Sequence, residues 1–104
     1  MRYWSARRAF TSDAEMAETF EVHRSQITRW KRGAAPDAGN AERLVGLDAV
    51  VSLLGGFLED DSIPKWLRGI NAHLGNRKPM DVVREGRLSE VIRAIEAEKS
   101  GAFA

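Results

Sequence analysis

The sequence predicts an all-α fold. Apolar residues recur at spacings of three and four along most of the chain, which is the period of an amphipathic helix. Serine or proline stands at several predicted helix starts, and glycine follows several predicted helix ends. No stretch alternates apolar and polar residues as a half-buried strand does. The 104 residues suffice for one compact domain, or for two small lobes that share one core.

Two short helices are predicted in the first third of the chain. Ser12, with a glutamate three residues later, forms a capping box and predicts a helix over residues 12–20. A second helix is predicted over residues 24–32, where Ile27 and Trp30 are three apart and face the core. The polar residues of this second helix fall on its opposite side.

Residues 33–40 form the clearest boundary, because they are rich in helix breakers and turn formers. Gly33 stands where a left-handed helix cap is expected. The predicted division is an N-terminal lobe over residues 1–37 and a second helical lobe over residues 38–104.

The second lobe begins with a long core helix predicted over residues 41–58. Its leucines and valines follow a three-four spacing, widened by Val45 and Leu53 among others. The pair Gly55–Gly56 marks a kink, an early end or a close helix crossing. Three shorter helices follow: one with Pro64 in its first turn that carries Trp66, Leu67 and Ile70, one from Pro79 to Gly86, and one capped by Ser89 and closed by Ser100–Gly101.

The net charge of +1 conceals an uneven distribution. The first forty residues contain seven basic and five acidic side chains, and residues 24–32 contain four positive charges and no negative one. A local positive stripe suits a polyanion, and it is equally a pattern of solvated helix faces.

Two short helices joined by about three residues, the second carrying an inward tryptophan, predict a helix-turn-helix. Serine and glutamine on its leading turn can bind base edges, arginine can reach guanine or phosphate, and basic residues near its end suit phosphate. An ordinary helical hairpin is the alternative. The residues assigned to DNA are Arg24, Ser25, Gln26, Arg29, Lys31 and Arg32.

The sequence lacks the residues and motifs that several classes of function require. The chain has no cysteine, which removes disulfides, thiol catalysis and cysteine-based zinc sites. No apolar run approaches the roughly 20 residues of a membrane crossing and no secretory signal is present, so we expect a cytoplasmic protein. His23 is expected to cap a helix and His73 to lie in a turn. With no phosphate loop or nucleophile elbow either, we expect no enzyme, no cofactor and no metal.

Residues 66–83, WLRGINAHLGNRKPMDVV, resemble the signature of the Xre/MbcA/ParS toxin-binding domain. That pattern is WL, then N, then LG, then a basic residue, P, and an acidic–aliphatic pair. Residues 91–95 followed by Gly101 fit its weaker tail, and with residues 12–33 the resemblance covers nearly the whole chain. The chain departs from the pattern at Ile70, where the family often has proline, and in its very short region ahead of the helix-turn-helix.

The resemblance implies a bacterial antitoxin of a type II toxin–antitoxin module. Such antitoxins bind and silence a RES-domain toxin that consumes NAD, and they usually repress their own operon. The implied partners are that toxin, operator DNA, and further copies in a homodimer or a larger hetero-oligomer. The C-terminal segment is implied to cover the active site of the toxin. The implied toxin-binding residues are Trp66, Leu67, Asn71, Leu74, Arg77, Lys78, Pro79, Gly101, Ala102, Phe103 and Ala104.

Two other functions remain open at this point. One is a stand-alone helix-turn-helix regulator whose second lobe serves dimerisation, and the other is a small helical adaptor without a nucleic-acid role. A neighbouring gene for a RES-domain protein would favour the antitoxin.

Overall fold

The structure is a computed structural model that describes residues 2–101. Within these residues the all-α prediction is confirmed, and the one β feature is an isolated antiparallel bridge between Asn71 and Arg77. The helices are α1 (Arg2–Arg7), α2 (Asp13–Phe20), α3 (Arg24–Lys31), α4 (Ala38–Leu54), α5 (Ser62–Arg68), a short 3-10 helix (Ala72–Leu74), α6 (Pro79–Arg84) and α7 (Leu88–Gly101).

Helices α2 and α3 form where the sequence predicts them. Ser12 caps α2 and His23 caps α3, each by accepting a hydrogen bond from a backbone amide. The rings of Phe20 and Trp30 meet edge-on with their centroids 5.5 Å apart, and this contact holds the two helices together. Gly33 follows α3 with a φ of 101°, the left-handed conformation expected of it.

Helix α1 was not predicted. It packs along α4 and contributes the buried side chains of Tyr3 and Ala6. The short region ahead of α2 therefore belongs to the core. Its six residues are too few to give a clear helical period in the sequence.

The predicted bounds of α4 are wrong at both ends, since the helix covers residues 38–54 rather than 41–58. It starts early because the Asp37 carboxylate caps it, and it stops at Gly55, which is the early end that the glycine pair allowed. Val45 and Leu53, expected to widen the core contact, are about half exposed because the neighbouring helices cover only one side of α4.

The helices after α4 are short and follow their prolines. Pro64 lies in the first turn of α5, and Pro79 opens α6, as expected. Ser89 does not cap the last helix, because α7 begins one residue earlier, at Leu88. The left-handed backbone of Gly86 lets the chain turn and restart a helix at once.

Buried apolar side chains from all seven α-helices form one cluster. Ion pairs also join the N-terminal third to the rest of the chain: Arg8 with Asp60, Glu15 with Arg68, and Glu21 with Arg84. The boundary at residue 37 stays a prediction, and the two predicted lobes share one core. None of the helices in residues 2–101 combines the length and apolar character that a bilayer crossing requires.

Candidate functional site

The loop of residues 69–78, between α5 and α6, contains most of the sequence motif. The Asn71 amide donates a hydrogen bond to the Arg77 carbonyl at 3.1 Å, which closes the loop at its base. The Asn71 side-chain oxygen accepts from the His73 amide at 2.9 Å and caps the 3-10 helix. Gly75 and Asn76 then turn the chain with φ values of 65° and 63°. Asn71 is only 8% exposed, so its role is to hold the loop in shape.

Arg77 fixes the loop to the rest of the molecule. Its Nε donates to the Leu74 carbonyl at 2.7 Å, and its Nη2 donates to a carboxylate oxygen of Glu90 on α7 at 2.9 Å. The Arg77 guanidinium holds the pKa of Glu90 below its ordinary value. Arg77 thus uses two of its donors within the chain.

Leu67, Leu74 and Pro79 lie in the core. A toxin surface cannot touch these buried side chains in this conformation. They position the loop from beneath by packing α5, the 3-10 helix and α6 together.

Trp66 is half-buried and packs against the core. Its indole N–H is inaccessible and has no hydrogen-bond acceptor among the described residues. The ring borders a surface hollow of about 240 Å³, which Ile70, His73 and Glu98 also line. Trp66 therefore connects the core to the outer surface of the loop.

The most exposed large apolar side chain of the motif was missed as a site residue. Ile70 was assigned to the helix that carries Trp66 and Leu67, yet this helix ends at Arg68, and Ile70 is 72% exposed. His73 and Lys78 are exposed on the same loop. Gly69, with its extended backbone, was the signal that the helical period no longer applies at Ile70.

The predicted C-terminal site residues are only partly described. Gly101 is exposed and is the last residue of α7, and Glu98, three residues before it, lines the hollow beside Ile70. The end of α7 therefore lies near the 69–78 loop. Ala102, Phe103 and Ala104 lie outside the described residues.

The residues predicted to bind DNA divide into three groups. Arg24, Ser25 and Arg29 are exposed on α3 and Arg32 is exposed directly after it, and these arginines form no ion pair within residues 2–101. Gln26 is half-buried. Lys31 is engaged within the protein: its ammonium lies 3.2 Å from the Asp13 carboxylate and 5.8 Å from the centre of the Trp4 ring.

Asp13 is the centre of a small charge network at this corner. Its carboxylate accepts from Arg7 Nε at 2.8 Å and faces Lys31 from the other side, and the Arg7 hydrogen bond lowers the pKa of Asp13. Within residues 2–101, no group of three or more histidine, aspartate or glutamate side chains is arranged to hold a metal ion.

Comparison with known proteins decides the family. The chain is 31% identical over 90 residues to the mycobacterial cidal antitoxin MbcA of Mycobacterium tuberculosis and of Mycobacterium bovis, covering 86% of this chain and 80% of MbcA. This chain belongs to the MbcA family of antitoxins. No family model matches it.

The fold of this MbcA-family antitoxin matches a solved relative over its whole length. The crystal structure of the M. tuberculosis MbcT–MbcA toxin–antitoxin complex contains a chain with a TM-score of 0.80 and 28% identity. The match covers 99% of this chain and 95% of the solved one, so both the 69–78 loop and α3 lie inside the shared fold. The resemblance stated from residues 66–83 is confirmed.

Proposed function

We propose that this protein neutralises a toxin by binding it, and that the toxin is a RES-domain enzyme that consumes NAD. The single observation that supports toxin binding is the match of nearly the whole chain to a chain solved within a toxin–antitoxin complex. The RES domain and the consumption of NAD are what the resemblance of residues 66–83 implies. A likeness limited to α2 and α3 would have supported any small helical regulator equally well.

The proposed binding surface is the 69–78 loop together with the end of α7. These segments lie close together, and both are exposed. Trp66, Asn71 and Arg77 shape this surface from within, while Lys78 and Gly101 lie on its outside.

Inhibition is proposed to come from the C-terminal segment. Residues 101–104 would lie over the NAD pocket of the toxin, with Phe103 as their anchor. Four terminal residues lose too much conformational freedom on binding to dominate the affinity, so the helical surface should supply most of it.

A truncation tests this division of roles. Deleting residues 101–104 should leave a complex that co-purifies with the toxin but no longer protects NAD in a consumption assay. Phe103→Ala should act in the same direction, and Ala102→Ser serves as a conservative control in the same segment. Full inhibition by the truncated protein would show that the helical surface blocks the toxin by itself.

A second function, autoregulation by DNA binding, is favoured by α3. At 100° per residue, Arg24 and Arg29 fall within one arc of about 140° that faces away from Ile27 and Trp30, and Arg32 follows directly after α3. Two exposed guanidiniums on one helix side, with a third just past its end, suit the phosphates and guanine edges of a major groove.

Substitution of one of these arginines should weaken promoter binding more than substitution of Lys31. Arg29→Ala should weaken binding to the promoter of the gene itself and reduce the salt dependence by about one phosphate contact. Lys31→Ala should change the affinity for DNA less, because the Lys31 ammonium already forms an ion pair with Asp13. Gel shifts with the antitoxin alone and with its toxin measure both, and the absence of promoter binding in each would refute the second function.

A further inference from the structure

Ile70 is the most exposed large apolar side chain among residues 2–101. It is 72% exposed, whereas Trp4, the next most exposed, reaches 52%. An isolated exposed isoleucine is unremarkable, but this one lies in a loop that the chain holds in a fixed shape.

The backbone of the loop directs Ile70 outward. The antiparallel bridge pairs Asn71 with Arg77, so Ile70 lies opposite Lys78 at the next position. Neighbouring residues of extended chain point to opposite faces. Asn71 turns inward and Arg77 reaches Glu90, and consequently Ile70 and Lys78 share the outer face.

The loop is held in this form before any partner arrives. The bond from the Asn71 amide to the Arg77 carbonyl closes it, and the two side-chain bonds of Arg77 fix it to the 3-10 helix and to α7. A preorganised apolar side chain loses little conformational freedom on binding, which is the property of interface anchors.

The charges around Ile70 define the surface that fits it. Between Asp61 and Asp81 the chain has four basic residues and no acidic one. Arg68 and Arg77 are paired with Glu15 and Glu90, so the exposed Lys78 supplies the positive charge on the outer face that it shares with Ile70. The acidic Glu98 of α7 borders the hollow on the other side of Ile70, away from this face. The complementary surface combines an apolar socket with carboxylates at its rim.

We propose that Ile70 is the anchor of the toxin interface and that Lys78 is its charged neighbour. The toxin then has an apolar socket for Ile70 with at least one carboxylate placed to meet Lys78. This assignment rests on the proposed function, since it takes the toxin as the occupant.

The test is calorimetric titration of purified cognate toxin with the full-length chain. Ile70→Ser should raise Kd by about 30-fold or more, as expected when an interface anchor is truncated. Ile70→Val should retain most of the affinity. Lys78→Glu should raise Kd by about tenfold and slow association most strongly at low salt.

Leu53→Ser is the matched control. Leu53 is 45% exposed on α4, and its substitution should leave Kd within about twofold of the wild-type value. Thermal melting of each variant checks the fold, and Ile70→Ser should melt with the wild-type protein because Ile70 buries little surface.

The outcomes separate the two proposals. Wild-type protein that does not bind the toxin overturns the proposed function and this inference with it. Wild-type binding with an unchanged Kd for Ile70→Ser overturns only the assignment of Ile70. Equal losses for Ile70→Ser and Leu53→Ser overturn it too, because a dedicated anchor is specific to its loop.

Discussion

Helix α3 and the 69–78 loop both expose positive charge, but they place their apolar residues in opposite ways. In α3 the apolar Ile27 and Trp30 are buried and the arginines are outside. In the loop, Ile70 is outside and the polar Asn71 is buried. The difference shows that the 3.6-residue period decides which side chains of a helix are buried, whereas hydrogen bonds decide which side chains of this loop are buried.

The largest expected contrast concerns the three tryptophans. Trp30→Ala should cost about 3–5 kcal/mol of unfolding free energy, because Trp30 is 4% exposed and packs edge-on against Phe20. Trp66→Ala should cost less, about 1–2 kcal/mol, because part of the Trp66 side chain is already exposed to water. Urea unfolding measures both. Trp4→Ala is the control: because Trp4 is 52% exposed, its substitution should lower the unfolding free energy by less than about 1 kcal/mol. A Trp66→Ala loss as large as that of Trp30 would show that the loop depends on its tryptophan as α3 does.

The second contrast lies inside the loop. Asn71→Ala should cost about 1–3 kcal/mol, because the His73 amide loses its acceptor and a partly buried hydrogen bond disappears. Asn76→Gly should change stability by less than about 0.5 kcal/mol, since glycine adopts the φ of 63° without strain. Melting temperatures of the two variants provide the comparison. Equal stability of Asn71→Ala and the wild type would mean that the backbone bridge and the Arg77 side chain hold the loop without help from the Asn71 side chain.

The sequence predicts α2 and α3 well and the loop poorly, for one physical reason. Ser12 and His23 cap their helices as expected, and the spacing of Ile27 and Trp30 gives the inward side of α3. Ile70 was assigned to α5 by extending the helix beyond Arg68, where it ends. No sequence period encodes the bridge from Asn71 to Arg77 or the pairing of Arg77 with Glu90, which joins residues 13 positions apart. The signature of residues 66–83 located the surface, but it did not indicate which of its side chains point outward.

A third contrast is the dependence of stability on pH at the α1–α2–α3 corner. Arg7 lowers the pKa of Asp13 in the folded state, so the stabilisation from this carboxylate is present above its unfolded pKa of about 4 and is lost as the pH falls further. Asp13→Asn should therefore be less stable than the wild type by roughly 1 kcal/mol at neutral pH. The gap should narrow as the pH falls below about 4, and it should close once the pH is below the lowered pKa of Asp13 in the folded protein, where the wild-type carboxylate is protonated as well. Denaturant unfolding across this range measures the gap, and a constant gap would assign it to packing rather than to charge.

The smallest effect concerns left-handed backbone, which the two regions accommodate differently. The loop uses Gly75 and Asn76 at positive φ, as is common, but the turn after α2 places Glu21 at a φ of 57°. The carboxylate of Glu21 lies 3.2 Å from a guanidinium nitrogen of Arg84, a contact that glycine could not make.

Glu21→Gly should relieve about 1 kcal/mol of backbone strain and lose an exposed ion pair worth about 0.2–1 kcal/mol. The net change should be a gain in stability of between about 0 and 0.8 kcal/mol. Glu21→Gln keeps the strain and loses the charge, so it should be the least stable of the three at low salt and should approach the wild type at high salt. Urea unfolding at both salt concentrations ranks them. A Glu21→Gly protein clearly less stable than Glu21→Gln would show that contacts of the Glu21 side chain other than its charge outweigh the strain of its backbone.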